Sequence, residues 1–398
     1  MPEFRPAKPM PGRSRRLSAV RIGGALIGAA TLGLSACSSA AAGGASPSGS
    51  SSASGTSNAQ AAQQAAAAKI QVTAAMKAPS ALGVTVPLKT KPPSGKTVVF
   101  LQCDVPQCAV IESGVAAAAH AIGWKLHVIN FQNANPATLV SGMQEALQYK
   151  PVAVALTGLP ESSWSSVIPA YQAAGVSIVA MAQGPDTINS TVISNPAGIP
   201  DNQVSGQMIA NWFIADSKGE GHALVVSVPA FPILQAASAA TASTIQSKCS
   251  ACKVTTLAVT LTEVGDNGVV PAIVSAIRKD PSIKYVLSSE GAFTAGLPSA
   301  LTAAGISGVK LAGEAPSLQD MQALQTGTEY AWAPTAFTYE GWLFIDSAAR
   351  HLEGMPITAG DGGLPNQLMT KANVGTPSAT LNAPSNFPAL FEALWHVG

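Results

Sequence analysis

The stretch KTVVFLQCDVPQCAVIESGVAAAAHAIGWKLHVIN, residues 96–130, decides how this chain folds. Two short runs, 97–102 and 125–130, flank an Ala-rich segment over 108–122 that is long enough for about four helical turns. The run TVVFLQ is apolar without alternation, the pattern of a strand covered on both faces of a parallel sheet. Strand, helix and strand in that order make one βαβ unit. Cys103 and Cys108 stand where the first strand gives way to the helix. Their spacing alone admits metal ligation, a redox pair or a structural disulfide.

The same alternation continues to the right. Further strands are predicted at 152–156, 177–182, 222–228, 253–260, 284–289, 309–313 and 329–333. Helices are predicted between and after them at 137–149, 163–174, 203–217, 234–248, 269–279, 294–304, 318–326 and 339–352. Repeated βα units predict doubly wound α/β architecture. Four strands precede a break at NSTVISNPAGIPDN (189–202) and five follow it, which reads as two similar lobes.

To the left, the chain changes character. Arg13, Arg15, Arg16 and Arg21 lead into IGGALIGAATLGL (22–34), too short to span a bilayer and right for the core of a signal peptide. The run ends in LSAC (34–37), which resembles the lipobox of bacterial lipoproteins and implies that Cys37 is acylated as the mature N-terminus. The tract SSAAAGGASPSGSSSASGTSNAQAAQQAAAA (38–68) is uncharged and has no large apolar residue, so it is predicted to be a flexible tether. The expected organisation is signal peptide and lipobox at 1–37, tether at 38–68, a first lobe from 69–199 plus 336–357, and a second lobe with tail from 200–335 plus 358–398.

Six of the 22 basic residues and one of the 21 acidic ones precede Cys37, so the remainder carries a net charge of −4. That balance, with no basic patch, argues against nucleic acid as a partner. No later run is long and uncharged enough for a second membrane segment. Roughly 300 residues remain after the tether, enough for two domains.

From residue 96 to 357 the chain resembles the type I periplasmic solute-binding proteins, the ribose-binding-protein and LacI-like group. The resemblance rests on the opening βαβ unit with its Gly123-Trp124 turn, on FQNANPATLVSGMQEAL (131–147), and on VAVAL (152–156) leading to AGVSIVAM (174–181). In the second half it rests on VSGQMIANWFIADSKGEGHALVV (204–226) and AGLPSALTAAGISGVKLAG (295–313). CDVPQC (103–108) and NFPALFEALW (386–395) are most similar to actinobacterial lipoprotein members that serve sugar transporters. The resemblance implies two α/β lobes joined by three crossovers, a solute held between them, and a monomer that delivers it to an ABC-transporter permease. A sensor module signalling to a membrane receptor or kinase is the other reading of such a cleft, and a hydrolase on this fold a third. The expected place is the extracytoplasmic face of the cell membrane.

That fold places the cysteines. Cys103 and Cys108 lie at the ligand edge of one lobe, Cys249 and Cys252 at the opposite edge of the other, too far apart for one zinc site. In an exported chain the expectation is two local disulfides, Cys103–Cys108 and Cys249–Cys252, with Cys37 left for lipid and no metal or other cofactor.

No GxSxG, HExxH or GxxxxGK[ST] motif is present, and GEGHA (219–223) reads as a turn after a helix, not a phosphate loop. The chain is therefore expected to bind and not to catalyse. Close sugar binders of the group carry Asp-Arg where this chain has Ala182-Gln183, and Asn-Asp where it has Ser289-Glu290. They carry an acid one position after Glu314, and an arginine where Leu234 and Gln235 stand. Aromatic residues near strand ends favour a sugar held by stacking, or a less polar, planar solute. The expected ligand residues are Asp104, Gln107, Gln132, Trp164 and Gln183 in the first lobe, Phe231, Ser289, Glu290, Phe293, Glu314 and Trp332 in the second, and Phe337 at a crossover.

Overall fold

Apolar runs and Ala-rich helices alternate along the chain, and the computed structural model, which describes residues 52–184, 188–357 and 363–398, stacks them as two α/β lobes. The described residues open with α1 (Ser52–Ala75). The first lobe then takes β1 (Thr97–Gln102), α2 (Pro106–Ala121), β2 (Lys125–Asn130), α3 (Pro136–Ala146), β3 (Ala153–Thr157), α4 (Ile168–Ala174), β4 (Ser177–Met181) and β5 (Val192–Ser194). The second lobe begins with α5 (Ile199–Asp216), β6 (His222–Ser227), α6 (Pro232–Lys248), β7 (Lys253–Ala258), α7 (Leu261–Gly265) and α8 (Val269–Lys279). It continues with β8 (Tyr285–Ser288), α9 (Leu297–Ala303), β9 (Lys310–Glu314), α10 (Leu318–Thr326) and β10 (Ala331–Ala333). After α11 (Phe337–Leu352) come β11 (Met369–Thr370) and α12 (Phe387–Leu394).

The first sheet has the order β2-β1-β3-β4-β5, all parallel. The second runs β11-β10-β9-β8-β6-β7, parallel except for the β11 edge. The central strands β3 and β4 are buried at every position, as strands sandwiched between helix layers must be. Helix α11 returns to the first lobe and packs on α2. Gly114 and Gly341 bring the two backbones together there, each leaving no room for a Cβ against the other helix.

Four expectations change. The segment read as a break holds β5, three residues that extend the first sheet. The tether ends sooner: from Ser52 the tract is helical, and Ala61 and Ala68 are buried. Helix α1 lies on the second lobe, with Ala68, Val72, Ala75 and Met76 against Trp212 and Phe213 of α5, so residues 69–76 do not join the first. The C-terminal tail goes the other way. Phe387, Phe391 and Trp395 pack on Tyr339 and Trp342 of the first lobe, with the Trp342 and Trp395 rings 5.2 Å apart. The chain thus passes between lobes not only before α5, before α11 and after it, but also between Met76 and Leu82 and between Val374 and Leu381.

Candidate ligand-binding cleft

All parallel strands of a sheet end at one edge, and the loops leaving that edge are where open α/β sheets take ligands. In the first lobe, β1 delivers Cys103, Asp104 and Val105 to the edge. Pro106 then opens α2, where the missing N–H costs nothing because the first turn leaves its donors unpaired. Cys103 and Cys108 are paired with their Cα atoms 5.6 Å apart, and both are buried. The exposed Asp104 is held from the next loop: its Oδ1 accepts from the Asn133 backbone N–H at 3.2 Å and from Asn133 Nδ2 at 3.0 Å. Gln132 is exposed beside it, its backbone N–H given to Thr138 Oγ1 at 2.9 Å.

Gln107 reaches out of this lobe. Its Nε2 donates to Glu290 Oε1 at 2.9 Å, a bond from the first turn of α2 to the loop after β8 of the other lobe. Burial pushes the Glu290 carboxyl up to about 7. Next to it, β9 ends in Glu314. Ser288 pairs with Gly313, and the Gly291 N–H donates to the Ala315 carbonyl at 3.2 Å, which sets Ser289 and Glu314 side by side on one face of the sheet. Both are buried, at 2% and 4% exposed. Ser289 Oγ makes no hydrogen bond. Burial alone drives the Glu314 carboxyl well above the usual carboxylate range.

The aromatic expectations fare differently. Trp164 and Trp332 have no exposed surface, and each belongs to the core of its own lobe. Trp164 Nε1 donates to Gln183 Oε1 at 3.1 Å, and Trp332 Nε1 to Glu329 Oε2 at 2.7 Å. Neither ring is available for stacking on a solute. Gln183 is likewise a strut: it is wholly buried, and its Nε2 reaches the Leu156 carbonyl at 3.5 Å. Phe231 and Phe293 are partly buried against the second core, and Phe337 against the first, all three beside the edge where strands end.

Two features were missed in the sequence. Asn133 sits one residue past Gln132 in FQNAN and is the group that fixes Asp104. At the crossovers, Glu340 of α11 is wholly buried with neither carboxyl oxygen hydrogen-bonded. Burial first, and the nearby Asp201 carboxyl second, raise it well above its ordinary value. Asp201 opens α5 and accepts from the Leu364 N–H at 3.2 Å, so these acids mark where the chain changes lobes. No pattern of a single sequence announces such a pair.

At the opposite edge, Cys249 and Cys252 are paired across the turn from α6 to β7, with Cα atoms 5.3 Å apart. The Ser250 N–H there donates to Gln64 Oε1 of α1 at 3.1 Å. Gly219, at φ +80°, closes α5 in the GEGHA turn and lets α1 approach its backbone. Among the described residues no group of His, Cys, Asp and Glu is placed to hold a metal, and no helix is long and apolar enough to cross a membrane.

A family model described as the periplasmic binding protein domain matches residues 98–356. Solved structures with the same fold include the 5-methylthioribose transporter solute-binding protein of Thermotoga lettingae, crystallised with 5-methylthioribose. It is 18% identical at a TM-score of 0.61, over 79% of this chain and 100% of that one. A carbohydrate transporter protein of Acidothermus cellulolyticus in complex with myo-inositol is 20% identical at a TM-score of 0.59, over 76% and 99%. A sugar ABC transporter protein of Yersinia enterocolitica is 14% identical at 0.60, over 80% and 100%. No curated protein sequence matches the chain.

Proposed function

The chain belongs to the periplasmic binding protein domain family, and on that premise we propose that it captures a small, polar, sugar-like solute between its lobes for an ABC importer. The observation that carries this reading is the Gln107–Glu290 bond, which ties the ligand edge of one sheet to the ligand edge of the other. A solute that enters there touches both lobes, and contacts to both are what stabilise a closed form. Proteins of the same fold crystallised with 5-methylthioribose and myo-inositol support a polyol-sized occupant. In this reading Asp104, Glu290 and Glu314 hydrogen-bond the solute and do not act as the acid and base of a hydrolysis.

The test is thermal. A solute present at 100 times its dissociation constant adds about 2.7 kcal/mol of stability by mass action. A metabolite library should therefore contain a compound that raises the melting temperature clearly. Glu290→Ala should remove most of that rise while leaving the ligand-free melting temperature unchanged. A full rise retained in Glu290→Ala would put the site elsewhere.

The proposed place is the outer face of the cell membrane, through acylation of Cys37, which lies outside the described residues. Residues 38–51, also outside the described residues, would then be the tether, and α1 is the first described element. Cys37→Ala should release the protein from membranes washed with high salt and carbonate; retention of the variant would refute the anchor.

A further inference from the structure

The charges of this protein are sorted between the two edges of its sheets. Lys96, Lys125 and Lys150 stand at or just before the starts of β1, β2 and β3, and Lys253, Lys284 and Lys310 do the same for β7, β8 and β9. All six are therefore at the edge away from the cleft. The connections that leave the C-terminal ends of the parallel strands contain neither Lys nor Arg, residues 182–191 after β4 included; Lys371 follows only the antiparallel β11. They do contain carboxylates: Asp104 after β1, Glu161 after β3 and Glu290 after β8, with Glu314 closing β9. Helix N-termini also point at this edge, but each is worth roughly half a positive charge that falls off within one turn, against a whole charge per carboxylate. The edge as a whole is acidic.

Within it, Glu314 is in an unusual position. It is 4% exposed, and the hydroxyl of Ser289 beside it is buried and makes no hydrogen bond. A buried carboxylate without a donor or a counter-charge is strongly disfavoured. Nothing basic in the strand-end loops can relieve it, so it either keeps its proton or meets a donor from outside the chain. Glu290, one residue beyond Ser289, accepts one bond from Gln107 at a single oxygen and adds a second acid to the same corner.

We propose that the solute is a small polyol bearing a protonated amine, whose ammonium group sits against Glu314 and Glu290 while its hydroxyls meet Ser289, Gln107 and Asp104. This rests on the solute-binding reading above and names the chemical class it left open. An ammonium brings three donors and a full positive charge, which is what two acids and a lone hydroxyl acceptor lack. A hexuronate or a sugar phosphate brings a charge of the wrong sign to an edge with no Lys or Arg to receive it.

The experiment uses the whole mature protein, purified without denaturation, and matched probes. Glucosamine, galactosamine and mannosamine, with putrescine and an aminocyclitol as broader amine probes, are compared by thermal shift and calorimetry with the parent hexoses, N-acetylhexosamines and hexuronates. The expected result is binding of at least one amine probe, tenfold or more tighter than its neutral parent, and no response to the uronates. Glu314→Gln keeps the shape and removes the charge. It should lower the affinity of that amine tenfold or more while leaving the ligand-free melting temperature unchanged or higher. A neutral sugar that binds as well as its amine, or an amine whose affinity survives both Glu314→Gln and Glu290→Gln, overturns the inference and leaves the binding reading standing. Silence of the amine arm when a compound of another class responds does the same. Silence of every arm and of a broad metabolite library overturns both.

Discussion

The two lobes share a fold and treat their polar groups in opposite ways. At the ligand edge of the first lobe Asp104 is paired with Asn133, Gln183 with Trp164 and Cys103 with Cys108, all within the lobe, while Gln107 reaches across to Glu290 and Asn133 Oδ1 has no partner. Its outer side is closed by aromatic rings of α12, and Trp395 Nε1 donates at 2.8 Å to Asp346, which is also paired with the buried Arg350. The second lobe leaves Ser289 unbonded, raises Glu290, Glu314 and Glu329 above their usual range, and is covered outside by the side chains of α1. Glu340, at the crossover, is the buried acid that belongs to neither scheme. The difference teaches that folding satisfies most polar groups at the first lobe's edge, while the second lobe presents buried acids and a hydroxyl that a solute can meet.

The hardest way to break this contrast is to open the seal of the first lobe. Trp395→Ala removes a fully buried indole stacked on Trp342 and packed on Phe391, and takes the donor away from Asp346. A truncation of this kind costs about 4 kcal/mol. For a chain of this size that lowers the melting temperature by on the order of 10 °C. Solute affinity measured well below the transition should be unchanged, because the tail packs behind α11 and not at the strand ends. A cost below about 1 kcal/mol, within the range of ordinary surface substitutions, would mean that the tail does not hold the lobe together.

Where the sequence was legible follows from the same physics. Strand 97–102 is legible to the residue because burial on both faces removes alternation, and that signal is purely local; 125–130 is an edge strand with only exposed and half-buried positions, so burial does not account for it. The three residues of β5 carry too little of that local signal between Asn, Ser and Pro. Helix α1 was taken for a tether because alanine, serine and glutamine show no amphipathic stripe; it is held by close approach of small residues to α5, which only the partner reveals. The tail was assigned to the wrong lobe because apolar spacing in FPALFEAL says that a face is buried, not against what. At the cleft, the strand-end positions of Asp104, Glu290 and Glu314 were legible from topology alone, and their part in binding is the proposal made above. The tryptophan rings were not legible, since a ring at a strand end can turn inward whenever its N–H finds a local acceptor, as Glu329 provides for Trp332.

A gentler test sharpens the contrast through pH. Burial raises the Glu290 carboxyl from its ordinary 4.5 to about 7, and burial followed by the nearby Asp320 charge raises Glu329 to about 8. A folded-state pKa above the unfolded one means that the native protein binds more protons across that interval. The stability contributed by these groups is fully present below pH 4.5 and is lost as pH rises through 7 and then 8. Glu263 and Asp280 are lowered by hydrogen bonds to Thr260 and Ser282, so their opposite contribution falls below this window and does not cancel it. The ligand-free melting temperature should therefore decline by several degrees between pH 5 and pH 8.5. Glu290→Gln and Glu329→Gln together should make the decline shallower, since each amide oxygen can still accept from Gln107 or Trp332 and only their titration is lost, while Glu314 and Glu340, also raised by burial, keep the remainder. A curve that is already flat in the unmodified protein would show that the second lobe compensates its acids internally. The contrast with the first lobe would then fail at its base. A curve that flattens only when solute is added would show the reverse: the missing compensation comes from the ligand, and it comes to this lobe.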